Sequence, residues 1–273
     1  MRSQLQLKPL GQTSINVSPI GLGTVKFGRN QGVKYPEHFD LPSDNALVNL
    51  LDLAKKLGIN TLDTAPAYGN SEQRLGQLLS VRKDWVIIGK AGETFNNGIS
   101  SYDFSADFIK RSVDQSLKNL NTDYVDVLLI HSNGDDVNII EHDKVFATLQ
   151  QLKSQKIIHA FGMSTKTIEG GLRTIEEADV AMVTYNPIET SEKTVIDAAC
   201  KNNKGILIKK AFASGHLNKI PGDNPVQTAM DFIFKTPGVS SIILSTINPE
   251  HLQHNVEAAL RAINKGATHA THP

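Results

Sequence analysis

The sequence is short of several things that would have narrowed its role at once. It has one cysteine, Cys200, in 273 residues. No disulfide can form within the chain, which fits a reducing, cytoplasmic setting. Neither charge sign is in excess, with 28 Lys plus Arg against 28 Asp plus Glu. Nucleic acid and anionic membrane are bound through a basic surplus, so neither is expected as the main partner. No apolar run approaches the roughly 18 residues that span a bilayer. The opening stretch 1–10 alternates polar and apolar residues and carries no apolar core of a secretory signal. No G-x-x-x-x-G-K phosphate loop occurs, and Gly21-Leu22-Gly23 lacks the third glycine of a dinucleotide fingerprint, Lys26 standing in its place. His269 and His272 have no acidic or cysteine partners on a rigid scaffold, so no metal site is expected.

What the chain does have is one pattern repeated along its length. Ser43 caps an apolar stripe at Ala46, Leu47, Leu50, Leu51, Ala54 and Leu57, the spacing of one helical face, and Gly58 stops it. The β-type run 59–64 follows, then a brief helical stretch through Leu75, Leu78 and Leu79, then the apolar strand 85–90. Ser105 opens a helix with Phe108, Ile109, Val113, Leu117 and Leu120 inward, ahead of strand 124–131. Helices over 142–154, 167–177 and 191–203 lead into strands over 157–163, 180–185 and 205–210. Pro225 and Pro249 hold first-turn positions of two more helices, with strand 238–245 between them.

With the early strand 18–24 there are eight β-runs alternating with helical pattern, which means a parallel sheet. At this length an α/β fold closed into a (β/α)8 TIM barrel is favoured over an open doubly wound sheet. Segments 5–7 and 15–17, around Gly11-Gln12-Thr13, read as a β-hairpin closing the barrel's N-terminal end. No linker interrupts the pattern, so 1–273 is expected to be a single domain, with 264–273 a flexible tail lacking apolar period.

In such a barrel the chemistry sits where strands end. These strands end in Gly23-Thr24, Asp63, Lys90, His131, Ser164-Thr165, Tyr185-Asn186, Lys209-Lys210 and Ser245-Thr246. Ionisable groups closing apolar strands are costly unless paired. Each has a plain structural explanation: Asp63 as a cap, Lys90 as its ion-pair partner, His131 as a satisfied core histidine, Tyr68 as an ordinary half-buried tyrosine. Their arrival at one rim is what points to chemistry.

The segment from Asp63 to Glu72 resembles the D-x-A-x-x-Y-G-x-x-E signature of the aldo-keto reductases. Gly89-Lys90 and Leu129-Ile130-His131 follow at that family's distances and complete its Asp, Tyr, Lys, His tetrad in order. Gly21-Leu22-Gly23-Thr24, Gly162-Met163-Ser164 and Asn248 to Asn255 match as well. The resemblance implies an oxidoreductase that reduces an aldehyde or ketone to an alcohol, with hydride from a nicotinamide cofactor and a small-molecule carbonyl compound as substrate. It implies Tyr68 as proton donor, Lys90 as the charge that lowers its pKa, Asp63 as the lysine's partner and His131 as the group that hydrogen-bonds the carbonyl oxygen.

The candidate cofactor contacts that follow are Gly23, Thr24, Ser164, Thr165, Lys209, Thr246 and Asn255. Here the chain departs from the family. Its Ser-Asn pair after the fifth strand is Ser164-Thr165, its sixth-strand glutamine aligns with Met182, and its ring-stacking tyrosine with Lys209. Three outcomes are open. The nicotinamide is held by Ser164 and Tyr185-Asn186 against the stem of Lys209 or Lys210, or the lysines meet pyrophosphate or an acidic substrate, or cofactor binding is weak. The family's phosphate-selecting basic positions align with Ser245 and His251, and the helix beginning near Pro249 offers its dipole to an anion. By family habit NADP(H) stands ahead of NAD(H).

Two other readings compete: a Schiff-base aldolase or lyase using Lys90, Lys209 or Lys210, and a non-catalytic nicotinamide-nucleotide-binding protein. The long loop 26–42, with Phe27, Tyr35 and Phe39, is expected to supply apolar walls for the substrate.

Overall fold

The computed structural model describes residues 4–269, with side chains as far as 265. Strands β1 (Lys8–Pro9) and β2 (Asn16–Val17) form an antiparallel hairpin. β3 (Ile20–Gly23), β4 (Thr61–Asp63), β5 (Val86–Ala91), a second hairpin β6 (Glu93–Asn96) and β7 (Ile99–Tyr102), and then β8 (Val125–His131) follow. The last strands are β9 (Ile158–Ser164), β10 (Val180–Thr184), β11 (Gly205–Lys209) and β12 (Ser241–Leu244). Strands β3, β4, β5, β8, β9, β10, β11 and β12 pair in that order and return to β3, a closed parallel barrel.

Helices α1 (Val25–Gly28), α2 (Asp44–Lys56), α3 (Ser71–Leu78), α4 (Ala106–Leu120) and α5 (Asp136–Glu141) lie along the first half. α6 (Val145–Ser154), α7 (Ile168–Glu177), α8 (Lys193–Lys201), α9 (Pro225–Phe234) and α10 (Pro249–His269) complete the shell. The expected caps are in place: Ser43 and Ser105 hydroxyls accept the N–H groups of Ala46 and Phe108.

Alternation along each strand separates two cores. Val86, Ile88, Val127, Leu129, Ala160, Val180, Met182 and Leu207 fill the barrel interior, where Leu10, Ile15 and Val17 of the first hairpin plug its lower end. Residues of opposite parity, such as Ile87, Leu128 and Ile130, pack outward with Leu47, Ile109 and Leu149 of the helices. The interior parity runs Val86, Ile88, Lys90 on β5 and Val127, Leu129, His131 on β8, so the two-residue period that buries the apolar pairs also delivers the polar groups into the barrel's upper mouth.

The chain differs from expectation in four places. The first hairpin pairs 8–9 with 16–17, beyond the 5–7 segment. The β6–β7 hairpin was not anticipated, although Asn97-Gly98, with φ of 51° and 84°, is the positive-φ pair that such turns favour. The expected helix 142–154 begins only at Val145, as α6, after a left-handed Lys144, and the separate short helix α5 before it was not anticipated. Finally, 264–269 continue α10 where a tail was expected, while 270–273 lie outside the described residues. No helix among the described residues is long and apolar enough to cross a membrane.

Candidate active site

Asp63 ends β4 level with Ile88, and Lys90, one residue from the end of β5, lies two residues farther up the neighbouring strand on the same face. Lys90 is only 2% exposed, and its Nζ donates to Asp63 Oδ1 and, at 3.3 Å, to the Thr64 carbonyl. A charge this deep requires such a partner.

Tyr68 reaches the same point from the turn between β4 and α3. That turn is shaped by Gly69 at φ +63°, where a Cβ would fall 2.0 Å from the Gly28 carbonyl oxygen, so the glycine after the tyrosine lets this loop press on α1. Arg29 clamps the two loops: it donates to the carbonyls of Gln31, Gly32 and Ala67 and stacks 3.3 Å from the centre of the Phe95 ring. The Lys90 ammonium lies 4.9 Å from the centre of the Tyr68 ring, and the His131 ring is 6.1 Å from it, edge to face. Asp63, Lys90 and His131 at strand ends and Tyr68 on its loop therefore meet.

Their electrostatics are not as expected. Burial, with further contributions from Asp63, Tyr35 and Glu93, pushes the Tyr68 phenol well above its ordinary pKa. Lys90 does not depress it, because the Asp63 carboxylate already neutralises the ammonium. Burial likewise lowers the pKa of His131, with Lys90 and Lys209 adding to the effect and Glu93 opposing it.

Glu93, at the start of β6, was missed in the sequence. Its Oε2 lies 2.7 Å from His131 Nδ1, off the direction of the ring N–H, and its Oε1 accepts from Ser100 Oγ at 2.5 Å across the hairpin. Burial pushes the carboxyl up, but His131, Ser100 and Arg29 outweigh it and hold it at about 2. A carboxylate at Nδ1 keeps the neutral imidazole's proton on that nitrogen and leaves Nε2 with a lone pair. The only sequence signal was the Asn97-Gly98 turn, which implies a hairpin just after Lys90. Asp136, at the start of α5, also escaped notice: its carboxylate accepts from the Lys166 and Thr167 N–H groups and from the Ser132 and Thr167 hydroxyls, pinning the loop after β9.

A cavity of about 1410 Å³ opens above this cluster. It exceeds the usual 300–1,000 Å³ of small-ligand pockets and has room for a dinucleotide beside a small substrate. Ser164, Thr165, Met182 and Lys209 form the neighbouring floor, and Thr246, His251, His254 and Asn255 lie toward the far end. Lys209 Nζ donates to Ser164 Oγ at 3.0 Å and to the Thr165 carbonyl at 2.6 Å. Buried Glu192 accepts from the Thr184 N–H, with the Thr165 hydroxyl at 3.5 Å.

Several anticipated contacts do not reach the cavity. The fully buried Thr24 donates to the Asp63 carbonyl and accepts from Ser71 Oγ, and a Cβ on Gly23 would fall 2.3 Å from Ser245 Oγ. Both build the barrel wall. Tyr185 turns outward against Phe232 and Thr236, and Asn186 is used up on Lys210, Ile188 and Glu189. Phe27 belongs to the core, whereas Tyr35 lines the cavity. Asn248 takes the Glu250 and His251 N–H groups, so the first turn of α10 is already capped, and Thr246 bonds Asn248 as well.

The Aldo/keto reductase family model matches residues 19–225 of this chain. The chain belongs to the aldo-keto reductases. A solved Pseudomonas aeruginosa chain assigned to the same group is 49% identical and superposes with a TM-score of 0.88 over 96% of this chain and 98% of that one. The oxidoreductase YqkF of Bacillus subtilis is 24% identical over 93% of this chain and 91% of its own length. The NADH-specific methylglyoxal reductase of Escherichia coli is 28% identical over 74% and 65%. This aldo-keto reductase is thus an NAD(P)H-dependent oxidoreductase acting on carbonyl groups, and neither the lyase nor the non-catalytic reading finds support. The cavity's size and the hydroxyl and ammonium donors on its floor fit a nicotinamide dinucleotide.

Proposed function

We propose that Tyr68 delivers the proton and that the cavity floor beside it seats the cofactor, the reaction being reduction of an aldehyde or ketone. The observation that carries this reading is the convergence of Tyr68, His131 and the Lys90–Asp63 pair at one wall of a cavity whose adjoining floor is polar. The cofactor supplies hydride to the carbonyl carbon. Tyr68, kept protonated by its raised pKa, donates its phenolic proton to the oxygen as negative charge develops there. The Lys90 ammonium, held by Asp63, packs against the Tyr68 ring and fixes where the phenol sits. His131, with Glu93 at Nδ1, offers Nε2 to a substrate hydroxyl in its neutral form, the form that burial favours and Glu93 opposes.

Ser164, Thr165 and Lys209 are the proposed nicotinamide contacts, and Thr246 and Asn255 those at the adenosine end. NADPH is placed ahead of NADH on the two histidines, His251 and His254, that line that end. Titration of the protein with each reduced cofactor, followed by an aldehyde screen with the tighter one, tests the reading. Saturable binding with turnover supports it, and binding without turnover of any carbonyl compound overturns the catalytic part.

A further inference from the structure

A carbonyl oxygen facing Tyr68 and His131 places its carbon over the next part of the floor, and the hydride donor has to reach that carbon at contact distance. Strand register states what this floor is. His131 is level with Ser164, Ser164 with Met182, and Thr184 with Lys209. Met182 makes no hydrogen bond to a ring carboxamide, and Tyr185 and Asn186 point elsewhere. The donors left on this stretch are Ser164, Thr165, Thr184 and Lys209, and Lys209 Nζ is bonded to Ser164 Oγ and the Thr165 carbonyl. An ammonium has three N–H groups, so one remains for a ligand.

We propose that Lys209 makes this protein discriminate between the reduced and oxidised cofactor: its Nζ donates to the nicotinamide carboxamide in both forms, while its charge, held low in the cavity, repels the positive charge that the ring carries only when oxidised. This inference rests on the nicotinamide reading above. A like-charge contact at a half-buried ammonium weakens the oxidised form selectively. The consequence is a protein that loads NAD(P)H and sheds NAD(P)+, and so is biased toward reduction.

The discrimination is expected to depend on pH. Burial pushes the Lys209 ammonium down to about 8, with Lys210 and Lys166 adding repulsion and Glu192 and Asp136 opposing it. Of the other groups facing this floor, His131 is lowered from 6.5 and Tyr68 raised well above 10.0, so neither changes charge between about pH 7 and 9.5. Effects on the adenosine end, including those of His251 and His254, are common to both cofactor forms and cancel in their ratio.

The test is to measure Kd for NADPH and NADP+ at about pH 7 and about pH 9.5 on the native protein, K209M and K209Q, by fluorescence and calorimetry. In the native protein NADPH is expected to bind about tenfold or more tighter than NADP+ at the lower pH, and the gap to close toward about threefold at the higher one as NADP+ binding improves. NADP+ binding near pH 8 should release protons, and NADPH binding should not. K209M and K209Q should each show one ratio at both pH values, with the preference for NADPH lost. A native ratio independent of pH, or a preference preserved in K209M, overturns the proposal. Failure of the native protein to bind either form overturns the cofactor reading itself and this inference with it.

Discussion

Removing the Tyr68 hydroxyl is the smallest change that separates chemistry from binding. Tyr68→Phe should lower turnover by roughly 10²–10⁴-fold, the usual worth of a positioned acid. NADPH affinity should stay within about twofold, since the phenol lies on the substrate wall; parallel kinetic and binding titrations check both. Lys90→Met acts through its neighbour. It leaves the Asp63 carboxylate buried without its cation, and breaking such a pair costs about 3–5 kcal/mol. Urea denaturation of the variant measures that loss. Glu93 contributes on the acid side. Its carboxyl is held at about 2 against an ordinary 4.5. The native state therefore gains stability from it above about pH 4.5, and that gain disappears as pH falls toward about 2. The midpoint of urea unfolding should fall over that window more steeply in the native protein than in Glu93→Gln.

At the scale of the element, the β6–β7 hairpin is the device that brings Glu93 to His131. It is a two-stranded ribbon and depends on its turn. Gly98 has φ +84° with nothing within 4 Å of an added Cβ, so Gly98→Ala meets backbone strain alone, about 1 kcal/mol. Hydrogen exchange in 93–102 should quicken in this variant while the barrel strands keep their protection. Helices and barrel strands were legible because both periods are long and apolar, whereas the hairpin is short and half-exposed and its one signal was two residues, Asn97 and Gly98. The left-handed Lys144 that delays α6 to Val145 left no apolar mark at all. The final helix was read as ending too early, since 264–269 lack the apolar stripe by which α2 and α4 announce themselves.

At the scale of the whole molecule, barrel closure depends on a few close approaches. A Cβ on Gly162 would fall 1.6 Å from the Val180 carbonyl oxygen, across the β9–β10 pair. Because the clash is with backbone, no rotamer change relieves it. Gly162→Ala should be among the most destabilising single changes, beyond about 4 kcal/mol. A thermal unfolding scan showing a near-native Tm would contradict the close packing of these strands.

What this sequence determined by itself was the alternation of strand and helix, the inward parity that carries Lys90 and His131 to the barrel mouth, and the spacing from Asp63 to Tyr68. All of these are local periods or fixed offsets along the chain, and a period can be read without knowing where the chain goes. What only the tertiary structure decided was which polar groups end up with a partner. Thr24 and Asn186 look like cofactor contacts until the wall and loops that consume them are in place. Glu93 looks like any acidic residue until the hairpin folds over His131, and Lys209 looks like one of two strand-end lysines until Ser164 and Thr165 receive it. Hydrogen bonding and desolvation act on neighbours in space, so the charge states of Tyr68, His131 and Lys209 were set by residues that lie far from them along the chain.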